Sequence, residues 1–366
     1  MQRTKIWRHF DIWLLAAVAI LTIAGIAMIE SAIAGNEFLE GYPRRQAIYA
    51  LIGLVALLLF AAIDYRLWAA LARPIYIIVV AFLGLILAAG FVGFGSARWF
   101  NIGIATVQPS EIAKIGMILV LSNYIAKHQH EINKPAVILR SLLLVGVPLL
   151  LIFQQPDLST SIVLIVIWFA IMWAAGIDIR NLATLAGIGL IAPIAVWPFM
   201  ADYQKGRIVT FLFPNPESRY GDTYNVNQAR IAIGSGGLTG QGYGQGTQVQ
   251  LRFLKVRHTD FIFSAMSEEF GFIGALLLIA LLIFIIFRCL RGATLARDTF
   301  GSLICYGVAF VLLFQSAFNI GMNLNLFPVS GLPLPFFSYG GSSLLSSLIG
   351  IGLVESVILR QKKIEL

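Results

Sequence analysis

Ten apolar runs, each long enough to cross a bilayer, constrain this chain more than any other feature. A helical span needs about 20 mostly apolar residues. The runs lie at 11–30, 46–63, 74–92, 109–126, 137–154, 158–175, 182–200, 261–287, 300–320 and 340–359. Most connections between them are short. The exception is a sixty-residue loop, 201–260, between spans seven and eight. Composition agrees: 58% of the 366 residues are hydrophobic and 12% charged, whereas soluble domains carry about 25% charged residues. Mean hydropathy is +0.85. A soluble enzyme, a disordered chain and a disulfide scaffold are excluded. The expectation is an all-α integral membrane protein of about ten transmembrane helices, one polytopic domain over 1–366, with a long structured loop at 201–260. The first run, Ile12 to Ile29, reads as a span and not as a cleaved leader.

Net charge is +8. In a soluble protein that excess suggests nucleic acid. In a membrane protein it reflects Lys and Arg kept in cytoplasmic loops beside anionic lipid, so no nucleic-acid partner is expected. Fifteen Lys and Arg fall on one side, among them Arg3, Lys5, Arg73, Lys127, Arg140, Arg288, Lys362 and Lys363. The short loops opposite hold only Arg44, Arg45 and Arg98. Both termini are therefore expected inside and the long loop outside. That loop adds seven basic residues, including Lys205, Arg207 and Arg219, against the acids Asp202, Glu217, Asp222 and Asp260. Long loops cross membranes regardless of charge; an outward site for an anionic ligand is the alternative. The two cysteines, Cys289 and Cys305, fall near the inner ends of spans, so no disulfide framework is expected.

Three polar clusters map to the outer half of the membrane. Gln108-Pro109-Ser110-Glu111 opens span four, where Pro and Ser suit a helix start. Glu111 and Lys114, three apart, share a face and can pair; they form either a neutralised structural pair or part of a site. In Gln154-Gln155-Pro156-Asp157-Leu158-Ser159-Thr160, Asp157 reads first as a helix cap, with a lining role open. The third cluster, Arg257-His258-Thr259-Asp260-Phe261, enters span eight. There Asp260 either caps the helix or acts as a surface carboxylate beside Lys255, Arg257 and His258. Glu268 and Glu269, further along that helix, must be paired or hydrated. The glycine-rich stretch 234–246 resembles a phosphate cradle but matches neither common nucleotide motif; a tight loop packed over the bundle is the better reading. Pro333 and Pro335 forbid continuous helix before span ten.

Taken together, QPSEIAK (108–114), QQPDLST (154–160), IAIGSGGLTGQGYGQGTQ (231–248), HTDFIF (258–263), SEEFGFIG (267–274) and GLPLPFFSYGGSS (331–343) resemble the SEDS family (shape, elongation, division and sporulation) along essentially the whole chain. GTQ at 246–248 and the absence of long terminal extensions resemble its elongation (RodA) members more than its division (FtsW) members. Lys255-Val256 departs from the usual Pro-Glu before Arg257-His258.

The resemblance implies a peptidoglycan glycosyltransferase of the bacterial plasma membrane. It would polymerise lipid II, a disaccharide-peptide on undecaprenyl pyrophosphate, at the outer leaflet, with a class B penicillin-binding protein crosslinking the product. It places the essential carboxylate on Asp260, with Glu111 and Lys114 supporting. Asp157, Lys255, Arg257, His258, Glu268 and Glu269 complete the candidate site. No cofactor is assigned; cations or a divalent metal ion such as Mg or Mn must balance the leaving pyrophosphate. The rival class is a lipid II flippase. It would show paired halves with broken helices in matching positions, and the sequence has no such symmetry.

Overall fold

The computed structural model describes residues 7–89, 91–93, 96–101, 106–214 and 221–361. Arg3, Lys5, Glu217, Arg219, Lys362 and Lys363, counted above, lie outside these residues.

Asp11 accepts a hydrogen bond from Leu14 N (3.1 Å) and so starts α1, Ile12–Ile33. Tyr42–Ala62 (α2) begins with a proline in its first turn. Asp64 caps the short α3, Tyr65–Ala70, which turns the chain into α4, Ala72–Ala89. Next come three short antiparallel strands in the order β1-β2-β3: Phe91–Gly93, Ser96–Asn101 and Thr106–Val107. They are an addition to the all-helical expectation, two to six residues long and so too short to show a period in the sequence. Then follow α5 (Pro109–Lys127), α6 (Pro135–Gln154), α7 (Leu158–Ala174) and α8 (Ile179–Val196). The long loop holds α9 (Asp202–Leu212), α10 (Gly221–Ser235) and α11 (Thr247–Gln250). Finally α12 (Ile262–Leu295), α13 (Thr299–Asn323) and α14 (Gly341–Leu359) complete the chain.

All ten expected spans are helices. Among the described residues, seven helical segments are long and apolar enough to cross a membrane, and α4 and α7 are shorter apolar helices. The remaining span, α5, carries three charges, Glu111, Lys114 and Lys127, along an otherwise mostly apolar helix. The third span ends at Ala89, short of the expected 92, and the eighth runs on to Leu295. Large apolar side chains such as Ile23, Leu51, Ile77, Leu143, Ile188 and Phe287 face outward. Lipid is the only solvent that tolerates so much exposed apolar surface.

Burial ranks the helices. In α14, 89% of the span is buried, against 7% in α8. The first is the axis of the bundle, packed on α2, α5, α12 and α13, and the second hangs at its edge. Cys289 and Cys305 are free and buried on α12 and α13.

The 34 residues of α12 are not one helix. Gly271 has φ 66 and ψ −164, which only glycine adopts without strain. A broken helix in a membrane must find other partners for its freed backbone groups. The glycine-rich loop supplies them. Gln241 N donates to Glu268 O (3.0 Å) and Gly242 N to Glu269 O (2.9 Å), while Phe272 N donates to Gly237 O (2.9 Å) and Ile273 N to Leu238 O (3.1 Å). A Cβ on Gly240 would sit 2.1 Å from Glu269 O, so this approach needs a bare backbone. The stretch is therefore a packed loop and not a phosphate cradle.

Candidate active site

Asp260 lies two residues before the start of α12; the N-cap is Phe261, and it makes no side-chain cap hydrogen bond. The capping alternative for Asp260 is thus excluded. Its carbonyl is held instead: Asn319 Nδ2 (3.2 Å) and Asn323 Nδ2 (3.0 Å) of α13 both donate to it. Asn319 Nδ2 also donates to Leu332 O (2.8 Å), and Asn323 Oδ1 accepts from Ser264 Oγ (2.5 Å). Both asparagines are fully buried. The segment before α14 adds a second set of ties. Ser338 Oγ donates to Thr259 O (2.7 Å) and Tyr339 N to His258 O (3.0 Å). The backbone at Asp260 is clamped from two sides, and its carboxyl takes a hydrogen bond from Thr259.

That carboxyl keeps some exposed surface, but the packing around it removes most of its hydration. Burial pushes it up from the usual value to about 6, with Arg207 drawing it down and Asp222 raising it. Arg207 of α9 and Asp222 of α10 pair at 3.6 Å. The Asp260 carboxyl is therefore within electrostatic reach of an ion pair formed by two helices of the long loop. Two narrow clefts meet at Arg207, Pro328 and Val329. One is lined by Asp222, Asn227 and Asn325, and the other by Asp157, Ser159, Tyr203 and Ser330. The loop closes over the second cleft where Gln204 Nε2 (3.0 Å) and the Tyr203 hydroxyl donate to Pro156 O.

Asp157 caps α7, accepting from Thr160 N (3.1 Å) and Thr160 Oγ1 (2.8 Å). It also takes Gln108 Nε2 (3.1 Å), tying the start of α5 to the start of α7. Glu111 and Lys114 pair at 2.7 Å, both buried, and Ser346 Oγ of α14 donates to Glu111 (3.0 Å). Asp157 lines the second cleft, and Glu111 and Lys114 sit in the first turns of α5, the helix tied to it.

Five sequence candidates turn elsewhere. The Arg257 guanidinium donates to Ala32 O and Leu254 O, so it pins the loop to the end of α1 instead of flanking the Asp260 carboxyl. Burial and Arg257 lower His258 to about 4, leaving it neutral at pH 7, and its ring packs edge-on against Tyr42 (5.5 Å). Glu268 accepts from Gln248 N (2.8 Å), Val249 N (3.2 Å) and Thr247 Oγ1 (3.2 Å), fixing the start of α11. Glu269 accepts from the Ser31 hydroxyl. Lys255 stands on the exposed loop surface. Sequence reasoning missed Arg207, Asp222, Asn319 and Asn323 as site residues. The first two appeared only in the charge tally of the loop.

Membership is decided by a family model. The model of the cell cycle proteins FtsW, RodA and SpoVE matches residues 7–363. The chain belongs to this family. It is the SEDS family that the motifs resemble. Among FtsW/RodA/SpoVE proteins, the chain is 36% identical over 357 residues to the peptidoglycan glycosyltransferase MrdB of Escherichia coli K12, covering 97% of this chain and 95% of the relative. It is 36% identical over 359 residues to the probable peptidoglycan glycosyltransferase FtsW of Trichlorobacter lovleyi, covering 95% and 93%. Solved relatives include the rod shape determining protein RodA of Thermus thermophilus, with TM-score 0.72, 29% identity, and 97% and 98% of the chains covered. A chain of a peptidoglycan synthase complex that coordinates polymerisation and crosslinking superposes with TM-score 0.82 at 30% identity, covering 97% and 99%.

Proposed function

We propose that this protein polymerises lipid II at the outer leaflet, with Asp260 as general base. As an FtsW/RodA/SpoVE member it is a peptidoglycan glycosyltransferase. The observation that carries the finer reading is the clamped Asp260 backbone beside a carboxyl whose pKa lies near the working pH. A general base is most effective when its pKa lies near that pH.

The step follows from the chemistry of the substrate. Asp260 takes the proton of an acceptor sugar hydroxyl. The hydroxyl oxygen then attacks the anomeric carbon of the donor, and the carbon–oxygen bond to pyrophosphate breaks with its electron pair leaving on the phosphate. Pyrophosphate is a good leaving group, so no second carboxylic acid is needed, unlike in glycoside hydrolysis. Arg207 is the cation placed to favour the departing charge.

A groove of about 250 Å³ between α1 and α12, lined by Leu21, Ala24, Met28, Met266, Phe270 and Leu277, suits a polyprenyl tail. Among the described residues no three His, Cys, Asp or Glu converge as a metal site. A Mg or Mn ion would depend on substrate phosphates plus one or two carboxylates, and Asp222 and Asp260 are the candidates. The positive-inside bias supports cytoplasmic termini and an outward cleft. The peptidoglycan synthase complex of the solved relative supports a class B penicillin-binding protein as partner. The elongation role rests on GTQ at 246–248.

The test is D260N in purified protein supplied with lipid II and its partner. Polymer formation falls by roughly 10²–10⁴-fold, the range for removing a general base, while lipid II binding persists. Near-normal polymerisation by D260N removes the assignment. Wild-type protein that moves lipid II across vesicles and makes no polymer establishes the flippase instead.

A further inference from the structure

A cavity of about 500 Å³ opens between α4, α5 and α6, far from the site described above. Its walls include Tyr76, Ile77, Val120 and Leu144, and three cations line it, one from each helix: Arg73, Lys127 and Arg140. No Asp or Glu lines it, and none of the three forms an ion pair among the described residues. Glu131 in the adjoining turn is committed to Lys134 at 2.6 Å. Tyr124, in the same wall, has a buried hydroxyl without a hydrogen-bond partner.

Cations at inner helix ends are ordinary in membrane proteins. Three from three helices around one apolar cavity, with no acid to neutralise them, are not. We propose that this cavity is a binding site for an anionic glycerophospholipid, its acyl chain in the cavity and its phosphate held by Arg73, Lys127 and Arg140. Basic pockets between spans hold anionic headgroups in this way. The site is separate from the substrate's pyrophosphate. Lys127 lies sixteen residues along α5 from Glu111, which is about 24 Å at 1.5 Å per residue. The inference does not depend on the catalytic assignment.

The experiment is native mass spectrometry of the full chain in detergent, titrated with dioleoyl-phosphatidylglycerol or dioleoyl-phosphatidylcholine, with inorganic phosphate as competitor. Each cation near an anionic headgroup is worth about a fivefold factor, so phosphatidylglycerol should bind on the order of 100-fold more tightly than phosphatidylcholine. R73Q/K127Q/R140Q should erase that preference, and R73K/K127R/R140K should keep most of it. L144W, which narrows the cavity and leaves the charges, should weaken phosphatidylglycerol binding. Equal binding of the two lipids by wild type reduces the site to an apolar groove and overturns the proposal. Displacement by millimolar phosphate makes it a bare anion site. Unchanged binding in L144W places the lipid elsewhere on the surface. Unaltered thermal midpoints in all variants exclude misfolding as the cause of a loss.

Discussion

At the scale of single residues, the pH behaviour of this protein turns on two neighbours whose titrations are shifted in opposite senses. Asp260 is raised to about 6. With Asp260 as the proposed base, which must be ionised to work, polymerisation should hold between pH 7 and 8 and fall about tenfold per unit below pH 6. The same shift costs stability. A carboxyl raised in the folded state binds its proton more tightly there than in the unfolded chain, so the cost appears as pH rises from about 4 through 6 and is full above. D260N should therefore melt no lower than wild type at pH 7, and higher if anything, with the difference vanishing near pH 4. His258 is lowered to about 4. Its stabilising contribution is present above pH 6.5 and lost as pH falls toward 4. H258F should keep the ring packing against Tyr42 and flatten the acid side of the stability curve, a shift read by thermal melts at pH 5 and pH 8. The sequence singled out Asp260 because an acid stands where a long polar loop enters an apolar run. Arg257 was misread because chain proximity says nothing of side-chain direction: it reaches α1, 225 residues away. Arg207 was hidden because a charge tally carries no tertiary information.

Helices and their junctions carry the next set of consequences. Glu111 and Lys114 form a buried pair that also engages α14 through Ser346. Breaking such a pair leaves an uncompensated charge, which costs about 3–5 kcal/mol. E111Q and K114M should each lower folding yield sharply. Removing both charges should cost less than the sum of the single losses, as a double-mutant cycle of thermal melts would show; additive losses would mean that the two residues do not interact. The spacing of three made this pair readable from sequence alone. Gly240 was readable only as a turn, since nothing local shows that the carbonyl of Glu269 lies against it. G240A should detach the loop from α12 and expose the bond after Gln241 to limited proteolysis, whereas T239A, one residue earlier on an exposed position, should not. Likewise, adjacent acids announced that Glu268 and Glu269 needed partners, but those partners come from α11 and α1 and have no sequence signature.

For the whole molecule, the ten apolar runs were sufficient to specify the bundle, because lipid imposes helix on any spanning segment. The order of burial among them was not legible: α14 and α8 are similarly apolar, yet one is the axis and the other the rim. The orientation is checked with T239C in the long loop and T294C at the end of α12, both at exposed positions. A membrane-impermeant thiol reagent applied to intact cells should label the first and spare the second, with buried Cys289 and Cys305 silent. The reverse pattern would invert the topology. The seam between the glycine-rich loop and the break at Gly271 also bears on how the molecule is made. Synthesis delivers the loop before α12, so while the loop is emerging, the carbonyls of Glu268 and Glu269 and the Glu268 carboxylate do not yet exist. The loop must wait, solvated, until span eight has entered the bilayer, and only then can the two halves close on each other. The cleft is thus assembled late, by a segment that cannot commit to its shape until the membrane insertion of its successor is complete.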